Sequence, residues 1–334
     1  MTSKKITIVE VAALAGVSVS AVSRAFNPEA SCSAPMRAKV MQAAEQLGYK
    51  PNRLARGIRA QSKLIGILMT DFENPAYLQI LNDFTRTLQQ CGYHSLLINV
   101  GEGMAIQEAV ELVMEYQVDG LIVTSSVLPV ELAEVCQEQE VPVVIFARHS
   151  RNTPLSTVSC DNVSGGSMAA DALVNAGYQR FAFIGGVEGA STTIDRQRGF
   201  IGRLLELGQE HWQVVDGGRH SYDAGFEATR RLFAQTEPPD GLFFADDILA
   251  FGGMDAVRHE FGLRVPQDVG IIGLDDIHFA NHRSYDLTTV RQPFADMVQA
   301  TVKRLLREVA ADEALAPEQL VLPCELVVRG SVRI

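Results

Sequence analysis

The chain has little cysteine, no long apolar run, and none of the short signatures that mark common catalytic chemistry. Its five cysteines, Cys32, Cys91, Cys136, Cys160 and Cys324, stand far apart with no C-x-x-C pair. That spacing argues against a disulfide framework or a clustered zinc site and reads as incidental thiols in a reducing compartment. No apolar stretch reaches the ~20 residues of a membrane span. The N-terminus, MTSKKITIVE, lacks the apolar core of a secretion signal, so a cytoplasmic protein without membrane contact is expected. G-x-S-x-G, Walker and H-E-x-x-H patterns are missing, and Gly185-Gly186-x-x-Gly189 departs from the G-x-G-x-x-G spacing of a dinucleotide loop. Asp246-Asp247 and Asp275-Asp276 look like the paired carboxylates of glycoside hydrolysis. Neighbours on a strand, however, point to opposite faces, so each doublet offers one group to a common cleft. No enzyme activity, cofactor or metal is expected.

Positive charge is also scarce overall: 29 Lys and Arg stand against 40 Asp and Glu in 334 residues. Its distribution is uneven. Residues 1–63 hold ten Lys and Arg and three Asp and Glu, and the remainder holds 19 and 37. A reversal of sign between segments implies a basic nucleic-acid module on an acidic body. The length suits two or three domains, and 47% hydrophobic residues supports full folding.

The basic segment begins with TIVEVAALAGVSVSAVSRAFN, Thr7 to Asn27. Thr7 with Glu10 forms a capping box that starts a helix. Ile8, Val11, Ala12 and Ala15 fall on one face of it, and Gly16 ends it. Val17 plugs the turn, and Ser18 caps a second helix from Val19 to about Phe26. The pattern predicts a helix-turn-helix, whose second helix enters the DNA major groove. Ser33 caps a third helix with Val40, Ala43, Ala44 and Leu47 as its apolar face, stopped by Gly48 and Pro51.

From Leu64 onward, apolar strands alternate with amphipathic helices. Continuous apolar strands between helices predict a parallel sheet covered on both faces. Val118-Asp119-Gly120-Leu121 recurs as Pro239-Asp240-Gly241-Leu242, each opening a strand, which suggests two similar α/β lobes. Ligands of such sheets bind beyond the carboxyl ends of the strands. The candidates there are Asp71, Phe72, Tyr77, Ser125 and Arg148 in the first lobe, and Asp161, Ser191, Arg196, His220, Asp246 and Asp275 in the second. Carboxylates and guanidinium forks suit vicinal hydroxyls, and aromatic rings suit the apolar face of a sugar or base. Arg148 with Arg196 fits a sugar acid or phosphate; the carboxylates fit a polyol or neutral sugar equally.

The stretches VAALAGVSVSAVSRAFN, LGYKPNRLARGI, IGILMTDFENP, CDNVSGG, ADDILAFGGMDA, VPQDVGIIGLDDI, LTTVRQP and LPCELVVR, in this order, resemble the lactose-repressor (LacI/GalR) family of bacterial transcription regulators. The resemblance covers nearly the whole chain. It implies an all-α helix-turn-helix headpiece at 1–50, a hinge at 51–62, and a two-lobed periplasmic-binding-protein-like domain for effector binding and dimerisation at 63–334. Lobe 1 would be about 63–161 and 293–321, and lobe 2 about 162–290 and 322–334. Val19, Ser20 and Arg24 would contact bases, and Thr7, Ser18, Ser23, Asn27 and Arg37 the DNA backbone. Ala55 and Ile58 would face the minor groove, where an apolar wedge kinks a base step. The expected partners are a palindromic operator duplex, a second copy of the chain, and a sugar, sugar acid or sugar phosphate, in the cytoplasm at the nucleoid. Ala21 and Met36 stand where many relatives carry a Thr hydroxyl, which weakens the phosphate contacts; the departures at Arg148 and Asp246 alter the pocket's polarity, so no relative's effector carries over. The alternative is a transport solute-binding protein, which shares the two-lobed fold.

Overall fold

In a computed structural model, described residues are 7–26, 30–47, 49, 62–69, 72, 74–100, 106–124, 141–148, 155–311 and 313–333. Asn27, Gly48, Ala55, Ile58, Asp71, Ser125, the hinge from 51 to 61 and the helix expected near 131–139 lie outside them. The chain divides into two compact units, Met1–Ser62 and Lys63–Ile334.

The first unit holds α1 (Ile8–Ala15), α2 (Val19–Phe26) and α3 (Ala34–Leu47). The capping box is formed: the Thr7 amide donates to the Glu10 carboxylate at 2.7 Å. Gly16 takes the left-handed conformation, φ 64°, that stops α1. The Ser18 hydroxyl accepts from the Ala21 amide at 3.2 Å and starts α2. The two axes turn through 101°, within the range of a helix-turn-helix. Val11, Ala15, Val22, Ala25, Val40 and Ala44 form one small core.

The second unit contains two six-stranded sheets. The first runs β11-β5-β4-β3-β1-β2 and is parallel throughout. Its strands are β1 (Leu64–Met69), β2 (His94–Asn99), β3 (Gly120–Val123), β4 (Val143–Phe146), β5 (Ser156–Cys160) and β11 (Gln319–Leu322). The second runs β12-β10-β9-β8-β6-β7, with only β12 antiparallel. It comprises β6 (Phe181–Gly185), β7 (Trp212–Asp216), β8 (Gly241–Phe244), β9 (Gly270–Asp275), β10 (Thr288–Arg291) and β12 (Glu325–Val327). Helices α4 (Pro75–Gln90), α5 (Ile106–Glu115) and α10 (Phe294–Val309) accompany the first sheet. Helices α6 (Asn162–Asn175), α7 (Ser191–Glu206), α8 (Tyr222–Phe233) and α9 (Asp247–Asp255) accompany the second. The chain passes between sheets after β5, after β10 and after β11.

Strand β1 shows why the apolar runs are continuous. Ile65, Ile67 and Met69 pack on one face, and Leu68 packs into a separate core on the other. The repeated Asp-Gly pair also has a physical role. Asp119 accepts from the Lys63 amide at 2.9 Å, just before β1. Asp240 accepts from the Gln179 and Arg180 amides at 2.9 and 2.8 Å, just before β6. The same carboxylate fixes the entry of the first strand in each sheet.

Helices α6 and α7 meet backbone to backbone at two glycines. A Cβ at Gly199 would stand 1.9 Å from the Val163 carbonyl oxygen, and one at Gly166 would stand 2.2 Å from that of Arg196. This close approach fixes Arg196. Gly199→Ala forces the pair apart and is expected to destabilise the fold by about 1–3 kcal/mol, read as a lower melting temperature. An unchanged midpoint would show that α7 is free to shift.

Candidate functional site

Two surfaces carry the candidate chemistry. On the headpiece, burial of Ala21, Val22 and Ala25 turns Ser18, Val19, Ser20, Ser23 and Arg24 outward. The Ser18 and Ser20 hydroxyls bond each other at 2.9 Å. Arg24 forms no hydrogen bond or ion pair among the described residues. It therefore presents an uncommitted planar fork, the group suited to a base edge or phosphate. Two expected phosphate contacts also bond within the headpiece. Thr7 donates its hydroxyl to Glu10 at 3.2 Å. Arg37 donates to the carbonyls of Ala25 at 2.6 Å and Ala30 at 3.4 Å, tying α3 to carbonyls left open at the end of α2. Arg37 is thus a clamp of the scaffold.

The second surface is a cleft at the carboxyl ends of the strands, between the sheets. Tyr77, Arg148, Arg196, His220, Asp246 and Asp275 all line it. Phe72, Asp161 and Ser191 do not. Phe72 packs against the core. Asp161 caps α6, accepting from the Ser164 amide at 2.9 Å. Ser191 starts α7 one position out of phase with Arg196. Thr192, four residues before Arg196 and so on the same face, lines the cleft instead. Asn74, Gln292 and Phe294 also line it and were not anticipated. Gln292 and Phe294 directly follow β10, so reading Thr288–Arg291 as a strand would have brought them under the strand-end rule. Asn74 is a helix cap signalled by the Pro after it.

The polar groups are mostly spoken for. Arg196 donates from Nε to the Asn162 side chain at 2.7 Å and from Nη1 to the Ala245 carbonyl at 2.5 Å. Asp246 caps α9 through the Leu249 amide at 2.9 Å, and its other oxygen meets His220 Nδ1. The Val187 amide donates to His220 Nε2 at 3.4 Å, so that nitrogen accepts and Nδ1 carries the proton. Gly186 leaves room for this ring, since a Cβ there would lie 2.1 Å from it. Asp275 accepts from the Gln292 amide at 2.6 Å, and Gln292 accepts from the Cys160 thiol at 3.0 Å. Arg148 donates to Thr192 Oγ1 at 3.1 Å and Tyr77 Oη at 3.3 Å. Since α4 belongs with the first sheet and α7 with the second, Arg148 bridges them. The cavity these groups leave is about 40 Å³.

Burial pushes the Asp275 carboxyl up to about 7, opposed by the Arg196 guanidinium and reinforced by the Asp246 charge. A carboxyl raised in the fold binds its proton more tightly there than in the unfolded chain. Its contribution to stability is full below about pH 4 and is lost as pH rises toward about 7. Asp275→Asn removes this loss. Its melting temperature relative to the parent should climb by several degrees between about pH 5 and about pH 8, on the order of 2 kcal/mol. A pH-independent difference would show that Asp275 ionises normally.

Comparison with known proteins identifies both parts of the chain. Residues 7–52 match the bacterial regulatory proteins of the lacI family, and residues 170–332 match a periplasmic binding protein-like domain. The chain is 31% identical over 330 residues to the ribose operon repressor of Halalkalibacterium halodurans, covering 98% of this chain and 97% of that one. It is 29% identical over 332 residues to the probable HTH-type transcriptional repressor ExuR of Bacillus subtilis, covering 98% of each. Among solved structures it is similar to the lac repressor dimer bound to operator and the anti-inducer ONPF. There the TM-score is 0.85 and the identity 27%, over 99% of this chain and 100% of that one. It is also similar to the CelR–cellobiose complex, with TM-score 0.74 and 29% identity over 98% and 100% of the chains. These relatives are transcription regulators, not enzymes or transport components. The chain belongs to the lacI family of bacterial regulatory proteins.

Proposed function

We propose that the protein is a transcriptional repressor that binds a palindromic operator as a homodimer and is controlled by a sugar-type small molecule in the cleft. The observation that carries this reading is the outward face of α2. Val19 and Ser20 stand at its N-terminal end and Arg24 one turn further on, all on a helix whose other side is buried. Val19 and Ser20 are short and offer a methyl contact or one hydrogen bond; Arg24 can grip a guanine edge with two. Ser18, Ser23 and Asn27 hold the backbone and set register without reading sequence. The segment 51–62 joins the headpiece to the effector body, with Ala55 and Ile58 toward the minor groove. Its DNA target places the protein in the cytoplasm, at the nucleoid.

The cleft supplies the control. A ligand shifts an equilibrium only through unequal affinity for its two states, typically coupling sites by about 1–3 kcal/mol. Three chain passages between two packed sheets confine the motion to hinge-like opening and closing. Every cleft group that the ligand touches on one lobe is therefore coupled to the other.

Arg24→Ala tests the DNA face. Removing one two-pronged base contact is expected to cut discrimination between operator and random duplex by about 1–3 kcal/mol, with ligand affinity unchanged. The assay is fluorescence anisotropy on a selected palindrome at two salt concentrations. The parent should lose affinity steeply as salt rises, through counterion release. A variant that footprints the same site with the same selectivity would remove Arg24 from the reading surface.

A further inference from the structure

Spacing along the chain gives no sign that any two thiols meet, yet the fold brings two of them together. Among the described residues, Cys160 and Cys324 are the buried cysteines, 3% and 8% exposed; Cys91 is exposed and Cys32 half-buried. Cys160 ends β5, where its register partner is Leu322 of β11, and the Leu322 carbonyl accepts from the Asp161 amide at 2.8 Å. Cys324 follows two residues on. In the other sheet Arg291 pairs with Glu325, and the residues that follow on in that register are Gln292 and Cys324. The Cys160 thiol donates to the Gln292 side chain at 3.0 Å. A Cβ on Gly165, in the first turn of α6, would stand 3.9 Å from Cys324 Sγ. That sulfur therefore lies over the helix that begins just after Cys160. The two thiols are in hydrogen-bond contact with each other. One belongs to the first passage between the sheets and the other to the third.

We infer that Cys160 and Cys324 are a redox-active pair, closed by a peroxide into a disulfide that ties the first and third passages between the sheets. Their roles divide by environment. The neighbouring Cys160 thiol brings the Cys324 thiol down from its ordinary value against burial; Arg196 adds to this, and Asp161 and Asp275 oppose it. The same contact, together with burial, holds the Cys160 thiol well above its ordinary value. Thiolate character decides which sulfur is oxidised first, so Cys324 attacks. Its sulfur bonds to one peroxide oxygen, and the O–O bond breaks. The departing hydroxide takes up the proton that Cys324 gave up on ionising and leaves as water. Cys324 is then a sulfenic acid. The Cys160 sulfur attacks the Cys324 sulfur, the S–O bond breaks, and the leaving hydroxide takes the Cys160 proton as a second water. Two thiols and one peroxide become one disulfide and two waters, each sulfur giving one electron. A reducing compartment keeps such a pair open until oxidant arrives, the usual role of a transient intracellular disulfide. Once joined, Cys160 has no hydrogen for Gln292, whose other end holds the Asp275 carboxyl in the cleft. Oxidation thus reaches the cleft, and operator binding with it.

The test treats the full, reduced chain with hydrogen peroxide, blocks the remaining thiols with iodoacetamide in denaturant, and maps peptides without reductant. The peptides holding Cys160 and Cys324 should appear joined, lighter by two hydrogens than their sum, and should separate after dithiothreitol. Cys160→Ser should leave Cys324 as a sulfenic acid that dimedone traps, whereas Cys324→Ser should leave Cys160 reduced at the same peroxide dose. Both residues alkylated after oxidation, or either joined instead to Cys32, Cys91 or Cys136, overturns the pair. A dimedone adduct on Cys160 in Cys324→Ser, with none on Cys324 in Cys160→Ser, overturns the order of attack. Operator anisotropy on the same samples reads the consequence, and that arm alone rests on the repressor reading. Oxidation should change operator affinity by at least about fivefold, the lower end of coupling between sites, and Cys324→Ser should abolish the change. A joined pair with unchanged operator affinity overturns its control of DNA binding. A reduced chain that binds no operator overturns the repressor reading and leaves the peptide map to decide the pair.

Discussion

Asp246 and Asp247 are neighbours at the start of α9 and face opposite ways, and the geometry of the cleft rests on the inner one. Asp247 is fully buried. One oxygen accepts from Thr289 on β10 at 2.5 Å and the other from the Ile277 amide beyond β9 at 2.9 Å. Burial and the nearby Asp275 hold its carboxyl well above the usual range. Gly273 has no side chain because the carboxylate would meet a Cβ at 2.3 Å. A single group thus ties α9, β9 and β10 together at the point where Asp246, Asp275 and Gln292 emerge. Asp275 itself sits at φ 136°, a conformation that side chains rarely adopt and that persists only where surroundings over-determine it. Asp276, next along, is fixed from outside by Arg329 at 2.6 Å and Arg291 at 2.7 Å.

What was legible in the sequence was what local physics decides. The caps of α1 and α2 are made by residues three apart, so Thr7, Glu10, Ser18 and Gly16 announced the headpiece without tertiary help. The inner apolar strands read correctly because both of their faces are covered. Strand-end reasoning found six residues of the cleft. It failed where phase within a helix mattered. Asp161 is spent capping a helix and Ser191 begins another outside the cleft, while Asn162 holds Arg196 and Thr192 meets Arg148. A spacing argument from the strand end cannot choose between adjacent positions.

Other features were hidden because the strands feeding two of the lobe crossings are polar yet buried. Strand β5 is Ser-Thr-Val-Ser-Cys with every residue inside. Its Ser156 hydroxyl is satisfied by Glu308 at 2.8 Å and Arg304 at 3.0 Å, both on α10. In β10, Thr288 bonds the Arg329 carbonyl at 3.1 Å and Thr289 bonds Asp247. Hydropathy does not register such strands, because partners distant in sequence satisfy their polar groups. Arg37 has a scaffold contact that its sequence context does not signal, since it ties α3 to the end of α2.

The same polar passages explain how the two lobes stay coupled. The thiol of Cys160 ends β5 at the first crossing and donates to Gln292 at the second, and Gln292 in turn donates to Asp275 in the cleft. Cys324 lies at the third crossing, its thiol close enough to Cys160 to perturb it. Two of the three connections are therefore joined by a hydrogen-bonded line that ends on a cleft-lining carboxyl, with Cys324 of the third beside it. Arg148, Thr192 and Tyr77 form the opposing contact across the cleft mouth. The Arg148 bridge and the line from Cys160 through Gln292 to Asp275 thus join the two sheets at two separate places. A bound ligand that replaces the bridge without matching its reach alters the angle between lobes by necessity, because packed sheets move as rigid bodies and do not deform to absorb the difference.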